Sequence, residues 1–198
     1  MIRAIIFDIG NVLLRFDFAR SVRKQRCDAD VDSLLRALDP LRHAYECGKM
    51  ERGEFLKRAK AALQFAGSDA EFIAAYEDIF TENLPMTQLV PSLRAQLPLY
   101  LLSNTSELHI DYITRTYPVF RFFSDAVYSH IAGCTKPARG IYELAIRQFS
   151  IVPQETVFID DLAPNIATAR ELGFVTIHYE HARHGEFLDT LARLGPKT

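Results

Sequence analysis

The chain has 198 residues, of which 48% are apolar and 24% charged, and its formal net charge is −2. Such a length and mixture describe one ordinary globular domain, or one carrying an insertion, that folds without a metal or disulfide staple. They exclude a disordered chain, and the interleaving of acidic with basic residues leaves no basic face for nucleic acid.

Cys27, Cys47 and Cys134 are odd in number and widely spaced, with no C-x-x-C pair. This pattern is expected of a reduced, cytoplasmic setting. The apolar run before Asp8 is too short for a signal peptide, and no window approaches a membrane span.

Ala4 to Phe7 is an unbroken apolar run of the kind found in strands covered on both faces, and it ends at Asp8. From Phe16 to Phe80 no strand is expected. Val31, Leu34, Leu35 and Leu38 recur at helical spacing, as do Phe55, Leu56, Ala59 and Leu63, then Phe72, Ile73, Tyr76 and Phe80. Pro40, Gly48, Gly53 and Gly67 fall at expected breaks between these helices, and Leu84-Pro85 is expected to close the unit.

Strand and helix then alternate. Strands are expected over Leu99–Leu102, Ala126–Tyr128, Thr156–Ile159 and Phe174–His178, and helices over Leu89–Leu97, Glu107–Thr116, Gly140–Phe149, Ile166–Leu172 and Glu186–Leu194. This order implies right-handed crossovers and a Rossmann-like, three-layer α/β core with a parallel sheet. Residues 1–14 and 85–198 would form that core, and the helical insertion, 15–84, a small cap over the end of the first strand. Ligands of such sheets bind at the carboxyl ends of the strands.

Three of the expected strands end in polar residues: Asp8, then Ser103-Asn104, then Asp160-Asp161, with Lys136 on a loop before a helix. Each alone has an ordinary structural reading: a turn residue, a helix N-cap, a solvated charge. Together and in this order they suit phosphate chemistry. Three converging carboxylates repel one another and call for a divalent cation, and all-oxygen ligation favours magnesium. Asp8 would attack the phosphoryl group, Ser103 and the Asn104 N–H would hold its oxygens, and Lys136 would neutralise charge. His178, His181 and His184 are read as a polar loop, because the strand ending at His178 breaks any shared helix face.

FDIGNVLL, LLSNT, TKP followed by IYELAI, and FIDDLAPNIATARELG resemble, in order, motifs one to four of haloacid dehalogenase superfamily phosphatases. The helical insertion is similar to the cap of the subfamily whose cap follows the first strand. FDIGNV is most like the branch of bacterial sugar-1-phosphate phosphatases and the N-terminal domain of epoxide hydrolase.

The resemblance implies an Mg²⁺-dependent hydrolase of a small phosphorylated metabolite, a sugar phosphate among the candidates. Asp8 would be the nucleophile, Ser103 the phosphate binder and Lys136 the charge stabiliser. Asp161 would be a direct metal ligand, Asp160 would bind directly or through water, and Gly10 would offer its backbone carbonyl.

Most family phosphatases have Asp where this chain has Gly10, and that residue protonates the leaving oxygen and later activates water. Its loss costs about 10² to 10⁴ in rate. A good leaving group, a water, or a cap residue, with Asp17, His43 and Glu46 as candidates, would offset it. Two other readings stay open: a haloacid dehalogenase, which lacks the second acid but needs no magnesium, and a catalytically silent binding scaffold.

Overall fold

The computed structural model describes residues 1–25 and 30–196, so that Cys27 lies outside the described residues. The chain begins with β1 (Ala4–Phe7) and β2 (Leu14–Phe16), followed by four helices, α1 (Phe18–Gln25), α2 (Val31–Glu46), α3 (Arg52–Ala62) and α4 (Asp69–Glu77). Next come β3 (Phe80–Glu82), α5 (Leu84–Arg94), β4 (Leu99–Ser103), α6 (Glu107–Thr116), β5 (Asp125–Tyr128) and the short α7 (Ser129–Ala132). The remainder is α8 (Arg139–Phe149), β6 (Thr156–Asp160), α9 (Ala163–Glu171), β7 (Val175–His178) and α10 (His184–Arg193).

Five strands form one parallel sheet in the order β5-β4-β1-β6-β7. The unbroken apolar run of β1 follows from its central place. Ile5 and Phe7 pack with Leu99, Leu101, Val157 and Ile159 against α5 and α10. Ile6, on the opposite face, packs with Leu102, Val127 and Phe158 against α8 and α9. A strand with water on neither face has no use for alternation. This is the Rossmann-type α/β core expected from the sequence.

The helices α1 to α4 bury a separate cluster that includes Leu38, Tyr45, Phe55, Leu56, Phe72 and Tyr76. The Tyr45 and Phe55 rings stack at 4.4 Å. Asp30 caps α2 by accepting from the Ser33 amide at 3.1 Å, and Ser68 with Glu71 forms a capping box at the start of α4. Leu108 of α6 joins this cluster, and the neighbouring His109 ring stacks on Tyr76 at 4.3 Å. The helical unit is thereby seated on the sheet core through α6.

Several expectations are corrected. The stretch from Phe16 to Phe80 is bounded by two strand ends, because β2 and β3 pair antiparallel with Arg15 opposite Thr81. Three-residue strands are too short to show a period. Pro40 lies inside α2, where Leu38, Leu41 and Tyr45 are buried on both sides of it, and packing outweighs the one lost amide bond. The break falls instead at Gly48, with φ of +65°. Gly53 sits in the first turn of α3, whose amides lack intrahelical partners in any case. The helix expected over Leu89–Leu97 runs Leu84–Arg94, opened by Pro85 at a position that suits proline and tolerating Pro91 within it.

Candidate active site

Sheet register brings the acidic residues together. Phe7 pairs with Ile159, and the Asp8 amide donates to the Ile159 carbonyl at 2.9 Å, so Asp8 leaves β1 level with Asp160 at the end of β6. These are the strands on either side of the point where the crossovers change direction, the usual ligand crevice of an open parallel sheet. Carboxylate oxygens of Asp8, Asp160 and Asp161 lie within 4.8 Å of one another. Among the described residues this is the one group of acidic, His or Cys side chains spaced to hold a metal ion. An all-oxygen set of this kind fits a hard divalent cation.

Lys136 reaches into the same cluster. Its Nζ lies 2.6 Å from Asp160 Oδ2 and 2.9 Å from Asp8 Oδ1, and its side chain is 1% exposed. Burial works against its charge, but the two carboxylates outweigh it and hold the ammonium above its ordinary range. Asp8 carries the opposite balance. Burial first, with Asp160 and Asp161 adding repulsion, pushes its carboxyl up to about 7 despite the attraction of Lys136. Burial also raises Asp161, against the hydrogen bond it receives from Asn11.

The two adjacent aspartates are held differently. Asp160 is fully buried, with Oδ2 on Lys136 and Oδ1 accepting from the Leu162 amide and from Asn165 Nδ2, both at 2.9 Å. Its lone pairs are largely committed. Asp161 accepts at Oδ2 from Asn11 Nδ2 at 2.9 Å. It is half-buried and is the freer of the pair to turn an oxygen toward a cation.

Ser103 and Asn104 end β4 on the wall of the same cavity, which has a volume of about 210 Å³. The Asn104 side chain also clamps the Lys136 backbone, donating to its carbonyl at 2.9 Å and accepting from its N–H at 2.8 Å. Sequence reasoning missed this, and it missed Asn11 and Asn165 as holders of the two aspartates. Asn11 left one signal, since it follows Gly10 in the turn and adopts φ of +52°, a conformation asparagine tolerates better than most residues.

Gly10 has its own neighbour. A Cβ placed on it would lie 2.9 Å from Cε1 of Phe16, so the aromatic ring occupies the space where a second acid would begin. Of the three residues considered as substitutes, Glu46 lines the cavity while Asp17 and His43 do not. Asp17 is 57% exposed, and His43 Nε2 sits 3.6 Å from Cys47 Sγ. Of the histidines near the C-terminus, His178 donates to the Asp161 carbonyl at 2.8 Å, whereas His184 meets the Tyr179 hydroxyl at 3.1 Å.

Known proteins resemble this chain along most of its length. A D-ribitol-5-phosphate phosphatase of Bacteroides thetaiotaomicron is 29% identical over 91% of this chain and 93% of its own. A HAD family enzyme of the same organism, in a crystal structure with magnesium and inorganic phosphate, superposes with a TM-score of 0.83 at 25% identity, covering 92% of this chain and 96% of its own. An L-2-haloacid dehalogenase of Xanthobacter autotrophicus shares the fold, with a TM-score of 0.65 at 17% identity over 89% of this chain and 76% of its own. A family model described as haloacid dehalogenase-like hydrolase matches residues 2–173. That span takes in Asp8, Ser103, Lys136 and both Asp160 and Asp161, and the chain belongs to the haloacid dehalogenase-like hydrolases.

Proposed function

We propose that this protein is a magnesium-dependent phosphatase that hydrolyses the monoester of a small hydroxylated metabolite, a sugar or polyol phosphate, through Asp8. The observation that carries the reading is the meeting of Asp8, Asp160 and Asp161 within 4.8 Å, with Lys136 bonded to two of them. The phosphatase relative and the neighbour holding magnesium and phosphate support it. A dehalogenase needs no metal, and that chemistry would leave the acidic cluster without a purpose.

Asp8, Asp161, the Gly10 carbonyl and Asp160, directly or through water, would hold the cation. When bound, it supplies positive charge against the phosphoryl oxygens and the clustered carboxylates. Ser103 and the Asn104 amide hold the phosphoryl group in line with Asp8. An Asp8 oxygen forms a bond to phosphorus as the bond to the leaving oxygen breaks, giving an aspartyl-phosphate and an alkoxide that takes its proton from water to become the alcohol. Water then attacks phosphorus, releasing phosphate and restoring Asp8. Lys136 stays protonated throughout and offsets the charge on Asp8 and the transferring group.

We assign the helical unit to the role of a cap that closes the cavity and excludes bulk water. The free thiols of Cys47 and Cys134 support a reducing, cytoplasmic setting. Among the described residues no helix is long and apolar enough to cross a membrane.

The test is phosphate release across a panel of sugar, polyol and other metabolite phosphates, with magnesium and with chelator. Release is expected from the hydroxylated esters and only with the metal. Asp8→Asn is expected to lower it by at least roughly 10³-fold. Release that persists unchanged in Asp8→Asn would overturn the reading.

A further inference from the structure

One pair of charges on the cavity wall stands apart from the ion pairs that join Asp8, Lys136 and Asp160. Arg42 and Glu46 stand one turn apart on α2, with Nη1 3.0 Å from Oε1, and their side chains are 28% and 11% exposed. Arg42 also donates to Asp39 at 2.9 Å, and its guanidinium lies 4.8 Å over the Phe18 ring. Both line the cavity that holds Asp8, Ser103 and Lys136. The same cavity is also lined by the apolar side chains of Phe16, Phe18, Ile79 and Phe80.

We propose that Arg42 and Glu46 form a subsite for the hydroxyl groups of the leaving alcohol and select an uncharged, polyhydroxylated one. The proposal rests on the phosphatase reading and deepens it. A paired guanidinium and carboxylate offer donors and acceptors side by side, which suits hydroxyls, since each both gives and takes a hydrogen bond.

Other leaving groups fit less well. A second anion would find Arg42 already neutralised by Glu46 and Asp39, and would face the Glu46 carboxylate. An alkyl chain would strip water from the pair without replacing its hydrogen bonds, a costly exchange for buried charges.

A second observation fixes this subsite relative to the phosphate. The Glu46 carbonyl accepts from Ser129 Oγ at 2.6 Å, and the same hydroxyl accepts from the Thr105 amide at 2.9 Å, directly after Ser103-Asn104. One side chain thus ties the end of α2 to the loop that holds the phosphoryl group. Gly48 permits the approach, since a Cβ there would fall 2.2 Å from the His130 carbonyl oxygen. The distance from phosphate to hydroxyl subsite is set by packing.

The experiment compares two primary esters of equal carbon number, a pentitol 5-phosphate and n-pentyl phosphate, by the ratio of their kcat/KM values. The wild-type ratio is expected to lie well above one. Arg42→Met combined with Glu46→Leu should lower the ratio by about 10- to 100-fold, as expected for hydrogen bonds to charged groups, mainly through KM. Glu46→Gln, nearly the same shape and still an acceptor, should lower it less, and it keeps the test open if the double variant does not fold.

A wild-type ratio near one, or equal losses on both esters in the variants, would overturn this subsite and leave the phosphatase reading standing. Absence of phosphate release from every ester by the wild type with magnesium would instead remove the phosphatase reading, and the subsite with it.

Discussion

At the scale of single residues, Gly10 would leave the proposed reaction without a second acid at the leaving oxygen. Phe16 is 40% exposed, and the atom that would meet a new Cβ is at the far end of its ring, so the ring can swing toward solvent. Gly10→Asp is therefore expected to cost no more than about 1 kcal/mol in stability. It should raise kcat for alkyl phosphates more than for p-nitrophenyl phosphate, whose leaving group needs no acid, by up to about 10²-fold. Paired kcat measurements with thermal melts check this, and an unchanged ratio would mean that the new carboxyl does not reach the leaving oxygen. His109 provides a second test. Its Nε2 meets the Tyr76 carbonyl at 3.2 Å, which accepts only, so that nitrogen carries the proton of a neutral ring. Burial depresses its pKa from 6.5 to about 3. A lowered folded value means that its contribution is complete above about pH 6.5 and is lost as pH falls toward 3, by up to about 1.4 kcal/mol per unit. The melting temperature of the wild type should consequently fall more steeply between pH 7 and 4.5 than that of His109→Phe.

At the scale of elements, the junction between α2 and the sheet core depends on a backbone approach that a side chain would block. Gly48 has φ of +65°, and a Cβ there would meet the His130 carbonyl oxygen, a backbone atom that cannot step aside. Gly48→Ala should cost about 2 kcal/mol or more, lowering the melting temperature by roughly 4 to 8 °C in a chain of this size. Gly133→Ala is the control, since it has φ of +72° but nothing within 4 Å. It should pay only the conformational penalty of about 1 kcal/mol. The elements themselves were legible where burial imposes a run or a period of apolar residues. The apolar runs of β1, β4 and β6 and the stripes of α2 to α4 were readable because each has a face or faces that must leave water. The ribbon of β2 and β3 was not, because its strands are short and their pairing is distant in sequence. Pro40 marks a break on local backbone preference alone, and the tertiary contacts of α2 override that preference.

At the scale of the whole molecule, the order of strand-end residues made the site legible before any geometry, because a parallel sheet delivers the ends of its strands to one crevice. Its supports were not legible: Asn11, Asn104 and Asn165 act through contacts between residues far apart in sequence or through side-chain directions that no spacing encodes. The finished assembly keeps three carboxylates and one ammonium in one crevice, where burial, with repulsion from Asp160 and Asp161, pushes Asp8 up to about 7 against the attraction of Lys136. The folded state is thus strained by charge that a cation relieves, whereas the unfolded chain parts Asp8 from the adjacent Asp160 and Asp161 and gains little from the ion. Linkage then predicts the size of the effect. A cation at 100 times its dissociation constant stabilises the fold by about 2.7 kcal/mol. For a chain of this size that is about 5 to 10 °C in melting temperature. Magnesium should produce this rise at neutral pH, chelator should reverse it, and inorganic phosphate should add to it only when the metal is present, because phosphate alone meets the uncompensated carboxylates. Asp161→Asn should abolish most of the metal-induced rise while retaining the fold, since Asp161 is only half-buried. A melting temperature indifferent to magnesium in the wild type, or a shift that survives in Asp161→Asn, would show that the acidic cluster does not hold the ion.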